Sequence, residues 1–232
     1  MFSDRSVTKM KVGILYSGGK DSTFSLYKVF GIHKIECLIT VEPTTNESML
    51  FHFPNIWVTK YQAKILDLPQ IYEVQRDNET DSLIQAIKRA VKEYGVEGIV
   101  TGGIKSKFQK DKFQKIFDSV GVIGISPLWG IDEISYLRTL IHSGFRFILT
   151  KVSALGLGKE WLGKTFDDRM IERLIESSNR YGFNPSLEGG EGETLVLDMP
   201  YFKRELIIDN YDVFWYGDWG YLKVNSVSEK EK

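Results

Sequence analysis

Apolar runs and helical stripes alternate along the first half of the chain. Residues 12–16, Val-Gly-Ile-Leu-Tyr, form a short apolar run that stops near a glycine pair, and behind it Phe24, Leu26, Tyr27 and Phe30 recur at near-helical spacing. This is the pattern of a strand, a tight turn and a helix. Residues 35–41 read as a second strand, 55–66 as a helix and 71–74 as a short strand. In 81–94, Leu83, Ile84, Ile87, Ala90 and Val91 share one helical face, and 98–103 is a buried strand running into Gly102-Gly103. A helix over 105–120 follows. Strands alternating with helices imply a parallel sheet covered on both faces, and such sheets bind ligands beyond the carboxyl ends of their strands. Both glycine turns lie at those ends.

The pattern changes after Ser126-Pro127. Residues 132–143 read as a helix, 145–153 as a strand and 167–181 as an amphipathic helix, while 194–227 is rich in Val, Ile, Tyr, Phe and Trp, which favours strands. The expected architecture is an α/β unit over 1–125 with helices on both faces of a parallel sheet, plus a smaller α+β unit over 126–232. The polar, charged tail 226–232 is expected to be disordered and the first nine residues to be a short extension.

Composition narrows the function classes. The formal net charge is -1, which argues against holding nucleic acid by bulk electrostatics. A single cysteine, Cys37, can form neither an internal disulfide nor a paired-cysteine metal site, so a reducing cytoplasm is the expected compartment. No stretch approaches the roughly 18 apolar residues of a membrane span, and the start lacks a signal-peptide core.

Chemistry concentrates at two places. Ser17-Gly18-Gly19-Lys20-Asp21-Ser22 stands between the first strand and the first helix. A glycine pair there lets backbone N–H groups turn toward an anion at the positive end of the helix. Lys20 can contact a phosphate, Ser17 and Ser22 can donate hydroxyl hydrogen bonds, and Asp21 can hold the magnesium that accompanies ATP. The spacing is not GxxxxGK[ST], so a common γ-phosphate-splitting site is not implied. The loop resembles that of the PP-loop family, whose members cleave ATP between its α and β phosphates to adenylate an oxygen.

The second place is Glu188-Gly189-Gly190-Glu191-Gly192-Glu193-Thr194. Carboxylates this close repel one another, so they need a metal, a cationic partner or open solvent. Spacing alone fits a solvated acidic turn equally well. Together with the 17–22 loop, Met-Leu-Phe-His-Phe-Pro-Asn at 49–55, Ser-Lys-Phe-Gln-Lys at 106–110 and Trp-Leu-Gly at 161–163, it resembles the diphthine–ammonia ligase family of PP-loop ATP pyrophosphatases. The matches run in order along nearly the whole chain. Two departures bear on pocket shape: Gly192 stands where family members typically carry an aromatic, and 106–110 is a mild variant of a Ser-Arg-Tyr-Gln pattern.

The resemblance implies amidation of diphthine, a modified histidine of translation elongation factor 2, with ammonium and ATP, through an acyl-adenylate. Lys20, Asp21, Glu191 and Glu193 would then be catalytic, with Asp21 the magnesium ligand. Ser17, Gly18, Gly19, Lys20, Asp21, Ser22, Gly102 and Gly103 would bind the nucleotide. Ser106, Gln109, Glu188, Gly189, Gly190 and Thr194 would face the acceptor, whether the acidic loop meets the trimethylammonium, the ammonium or the metal. Larger eukaryotic relatives carry further C-terminal domains, so a minimal archaeal-type form is implied. Two rivals are a tRNA-modifying PP-loop enzyme, whose thiolating versions use paired cysteines, and a nucleotide-binding module without turnover.

Other residues have more ordinary expectations. His52, between Phe51 and Phe53, either lines the site or packs, and packing is the commoner role. His33 and His142 lie near helix ends and enter no site. Trp215, Tyr216, Trp219 and Tyr221 are expected to fill a strand-built core.

Overall fold

The computed structural model describes residues 9–44, 54–76 and 78–232. His52 and most of the 49–55 motif lie outside the described residues.

Five strands form a parallel sheet in the order β3-β2-β1-β4-β5: β1 (Lys11–Leu15), β2 (Lys34–Glu42), β3 (Gln70–Val74), β4 (Gly98–Val100) and β5 (Ile123–Ile125). The helices between them are α1 (Lys20–Val29), α2 (Thr59–Leu66), α3 (Glu79–Tyr94) and α4 (Lys107–Val120). Alternate residues of β1 serve opposite faces. Val12 and Ile14 join one buried cluster, while Leu15 joins the other with Leu83, Ile87, Ile99 and Phe117. That two-sided burial is why a central strand of a parallel sheet reads as an uninterrupted apolar run.

The chain builds outward from β1 through β2 to β3, then crosses back to place β4 on the other side of β1. The connections after β1 and β4 therefore leave in opposite directions and open a crevice at the carboxyl ends. Both glycine turns sit at this reversal.

The second part comprises α5 (Glu133–His142), α6 (Asp168–Tyr181) and an antiparallel sheet in the order β7-β6-β9-β8, from β6 (Arg146–Val152), β7 (Gly192–Asp198), β8 (Arg204–Trp215) and β9 (Gly220–Glu231). Every strand of the parallel sheet lies before residue 126, yet the two parts share a core. Ile14, Phe24 and Val100 belong to the same cluster as Tyr136, Phe147 and Leu195.

Four differences from the sequence expectation have physical reasons. The strand β5 is three residues long and contains Gly124, too short and too weakly apolar to register as a strand. The 55–66 helix begins as a 3-10 turn, Ile56–Val58, before α2. The tail is ordered as the second half of β9, where Glu229, Lys230 and Glu231 pair with Leu206, Glu205 and Arg204 of β8. Its charges are cross-strand partners, with Arg204 bridged to Glu229 and Glu231 and Lys64 of α2 to Glu229, so a polar sequence still forms a ribbon. The aromatic stretch 214–221 is not core: Tyr216 is exposed, Trp219 and Tyr221 are half-buried, and only Trp215 turns inward onto the core.

Candidate active site

The phosphate loop is held from behind by the antiparallel sheet. Gly18 adopts φ +76°, a conformation that disfavours side chains, and a Cβ there would collide with the Gln62 side chain. Its carbonyl accepts from Val196 N at 2.9 Å and Gln62 Nε2 at 3.2 Å. Gly19 is the N-cap of α1, without a side-chain cap, so first-turn N–H groups remain for an anion. Lys20 N donates to Thr194 Oγ1 at 3.0 Å, which ties the loop to β7.

The functional groups of Lys20 and Asp21 are also fixed. Lys20 is 2% exposed, and its Nζ donates to Ser186 O at 2.6 Å and to both Asp21 carboxylate oxygens at 3.0 and 2.9 Å. A buried ammonium needs such partners, since desolvation without them is costly. Tyr136 OH, from α5, donates to Asp21 Oδ1 at 2.6 Å. Burial, followed by the Asp21 charge and hydrogen bond, holds the Tyr136 hydroxyl protonated, well above the ordinary phenol range. Ser17 and Ser22 hydroxyls lie 3.2 Å apart.

Gly102 explains how close the two turns come. A Cβ there would lie 2.8 Å from Ser22 N and 3.0 Å from Asp21 C, so backbone packs on backbone. Thr101 Oγ1 and Ser126 Oγ, 2.9 Å apart, brace the same edge.

The acidic loop closes the opposite wall, and its carboxylates do different things. Glu188 accepts from Ile104 N at 2.6 Å and Lys105 N at 2.7 Å, clamping the turn after Gly103. Glu191 Oε1 accepts from Asn184 N at 3.1 Å, while its Oε2 is buried with no partner. Glu193 pairs with Lys151 Nζ of β6 at 3.2 Å. A further chain of contacts supports Lys20 from below: Lys105 Nζ bonds Glu133, which accepts from Asn184 Nδ2 and Ser186 Oγ. Desolvation acts against the Glu133 charge, but the Lys105 and Asn184 hydrogen bonds outweigh it and keep the carboxyl below the ordinary glutamate range.

These walls enclose a cleft of about 230 Å³. An adjoining cavity of about 290 Å³ runs past Ser106, Phe113 and Trp129, and Lys110 Nζ sits 4.0 Å above the Trp129 ring. Among the described residues no group of three or more histidine, cysteine or acidic side chains is arranged to hold a metal. No helix among them is long and apolar enough to cross a membrane.

Comparison with known proteins bears on this cleft. Residues 10–123 match the diphthamide synthase N-terminal domain, and residues 132–229 match the diphthamide synthase C-terminal domain. The chain belongs to the diphthamide synthase family. Among similar proteins are the diphthine–ammonia ligases of Schizosaccharomyces pombe, 31% identical over 94% of this chain, and of Homo sapiens, 30% identical over 88%. The match spans 39% of the first relative's length and 85% of the second's, so a short chain does not by itself point to an archaeal source. A solved structure titled as a predicted subunit of tRNA methyltransferase, from Methanocaldococcus jannaschii, aligns over 76% of this chain and 90% of its own. At 21% identity and a TM-score of 0.40, that likeness is too partial to carry an argument.

In this family member the cleft gathers Ser17, Lys20, Asp21, Ser22, Gly102, Gly103, Gln109, Glu188, Gly190, Glu193 and Thr194 along its lining. Other expected site residues sit elsewhere. Gly18 and Gly19 shape the loop from behind, and Ser106 is the N-cap of α4, its Oγ accepting from Gln109 N at 3.4 Å. Glu191 turns back from the cleft, and a Cβ on Gly189 would lie 2.7 Å from its Oε1. Thr194 acts as a brace for Lys20, and a Cβ on Gly192 would press to 2.9 Å on the Lys151 carbonyl, so β6 lies too close for an aromatic.

Three residues that line the cleft or hold its side chains in place are not among those expected from the sequence pattern. Tyr136 looks like one more apolar position of its helix, and nothing local marks its hydroxyl. Ser186 contributes only its carbonyl to Lys20. Lys151 did carry a signal: it is the single charge within the apolar Phe147-Ile-Leu-Thr-Lys-Val152 run.

Proposed function

We propose that this chain is an ATP-dependent diphthine–ammonia ligase. It would amidate diphthine on translation elongation factor 2 with ammonium and release AMP and pyrophosphate. The observation that carries the reading is the meeting, in one cleft, of a buried lysine paired to Asp21 at an open helix start with the Lys151–Glu193 pair that joins strands β6 and β7. The first pair suits a polyphosphate and the second suits a charged acceptor. The family relation supplies the substrate class.

The residues present fit the nucleotide and its cation. Gly19 opens α1 with no side-chain cap over its first turn, Lys20 offers buried positive charge, and Asp21 stands as one carboxylate at the mouth. Magnesium characteristically uses one or two carboxylates and otherwise phosphate oxygens and water, so a larger acidic cluster is not required. When bound, it would neutralise phosphate charge, and Asp21 would hold it. Lys20, released from Asp21 by the incoming phosphates, would stabilise charge on the leaving pyrophosphate.

The reaction needs two displacements. An acceptor carboxylate oxygen forms a bond to the α-phosphorus as the bond to pyrophosphate breaks. Ammonia then attacks the acyl carbon, AMP departs with the electron pair, and a proton leaves the nitrogen. Adenylation is required because a free carboxylate repels nucleophiles and lacks a good leaving group. Gly102 and Gly103 would let the nucleotide approach the backbone, and Glu193 would orient the acceptor's trimethylammonium or the ammonium. The single cysteine, Cys37, is buried and free, which suits a reducing cytoplasm.

Incubation with ATP, ammonium and unamidated elongation factor should yield AMP and pyrophosphate in step with amide formed, by chromatography and mass spectrometry. ADP or orthophosphate as the main product, without pyrophosphatase, would overturn the reading.

A further inference from the structure

The antiparallel sheet carries one continuous rung from the cleft to an exposed group of aromatic rings. Glu193 of β7 is paired with Lys151 of β6, Lys151 with Tyr221 of β9, and Tyr221 with Phe214 of β8. Directly paired residues lie on the same sheet face, about 5 Å apart. The opposite face is the core face, with Leu222 buried and Val213 and Trp215 packed against the cluster. The rung therefore starts in the cleft and ends in solvent.

Around its outer end the β8–β9 turn, Gly217-Asp218, closes with Tyr216 N donating to Trp219 O at 2.9 Å. Gly217 has φ +94°, as a two-residue hairpin turn with glycine first allows. Tyr216 stacks on Trp219 with centroids 4.6 Å apart, and Phe214 on Tyr221 at 5.0 Å. Tyr216 remains 53% exposed and Phe214 37%. The next rung, Lys223 opposite Asp212, is polar. This is an apolar aromatic centre with a polar rim, the make-up of a protein-binding surface.

The charges select the occupant. Asp212 is balanced by Lys223 in the neighbouring rung, Asp218 lies in the turn, and Lys151 is already paired to Glu193, so the patch carries no excess of positive charge. That setting disfavours a phosphate backbone and suits a polypeptide. Granting the proposed function, the acceptor reaches the cleft as part of a protein, and this rung leads directly from the cleft to an exposed apolar surface on which the flanking chain can rest. We propose that Phe214, Tyr216, Trp219 and Tyr221 form the platform on which the acceptor protein docks, with Glu193 and Lys151 marking where its modified side chain enters.

The test uses the full chain, unamidated elongation factor, and the variants Tyr216→Ala/Trp219→Ala and Tyr216→Phe/Trp219→Phe, with Ile32→Ala as a distant surface control. In the alanine pair, the dissociation constant for the factor and the KM for it should rise roughly ten- to a hundredfold. Affinity for ATP, kcat at saturating factor and the melting temperature should stay near wild type. The phenylalanine pair should recover most of the binding, and Ile32→Ala should change nothing. Unchanged factor affinity in the alanine pair, with the wild type active, would overturn the platform and leave the ligase reading intact. So would a wild-type dimer that the alanine pair dissociates, or RNA binding lost in that pair. A wild type that neither binds nor amidates the factor would overturn both.

Discussion

The phosphate loop and the acidic loop face each other across one cleft, yet they are built by opposite strategies. In 17–22 nearly every working group comes from consecutive residues. The strand, the glycine pair and the helix start impose the shape, and distant residues only brace it. In 188–194 the residues are consecutive, but their partners are not. Glu188 reaches the turn at 104–105, Glu191 turns back to Asn184, and Glu193 faces Lys151 on β6. A contiguous motif can thus be one device or several. The difference lies in whether local backbone geometry or tertiary contact chooses each side chain's partner.

The comparison is sharpened most by Asp21→Asn. The phosphate loop should fail as a unit, with pyrophosphate release falling by at least about a thousandfold, or about 4 kcal/mol of transition-state stabilisation. Asparagine is the better choice than alanine, because its carbonyl can still accept from the buried Tyr136 hydroxyl; it also neutralises the partner of the buried Lys20, so the melting temperature is measured alongside. Losing that acceptor would cost about 1–3 kcal/mol of stability and blur the result. Wild-type turnover in this variant would remove the metal and phosphate role of the loop.

Glu188→Gln tests whether the acidic loop works through its neighbours. An amide offers one acceptor oxygen in place of the two that Ile104 and Lys105 N–H groups use, and it turns a donor toward one of them. The clamp should weaken by about 1–3 kcal/mol. Both ATP affinity and acceptor use should then fall about tenfold, since the 102–105 turn packs against Ser22. A loss confined to the acceptor would make Glu188 a direct acceptor contact instead.

The smallest effects should separate the remaining two glutamates. Glu193→Gln removes a charge beside Lys151 at the cleft wall and should reduce amide formation about tenfold, with ATP binding unchanged by calorimetry. Glu191→Gln lies behind the loop and should leave both within about twofold, with at most a small shift in melting temperature. Equal losses in the two variants would show that the loop acts as one electrostatic unit after all.

Much of the fold is legible in the amino-acid sequence. Alternating apolar runs and helical stripes identified the parallel part and placed both glycine turns at carboxyl ends, because burial period and turn chemistry are local properties. Where only pairing could decide, pattern reading ran out. The tail 226–232 is polar apart from Val227, and it is a strand because Arg204, Lys64 and the backbone of β8 satisfy it. Aromatic residues at 214–221 read as core because hydropathy does not say which face of a hairpin meets solvent.

What the sequence by itself determined is therefore the frame and the phosphate loop: an α/β sheet with Ser17–Ser22 at its point of reversal, the elements dictated by contacts between near neighbours. What only the tertiary structure decided is the assignment of labour inside the cleft. Tyr136 on Asp21, Ser186 on Lys20, and the separate partners of Glu188, Glu191 and Glu193 all depend on contacts between distant parts of the chain, except for Glu191's bond to Asn184. A hydroxyl, a carbonyl or a carboxylate acquires a role from the atom within about 3 Å of it. Once the core shared by the two parts forms, packing fixes which atom that is.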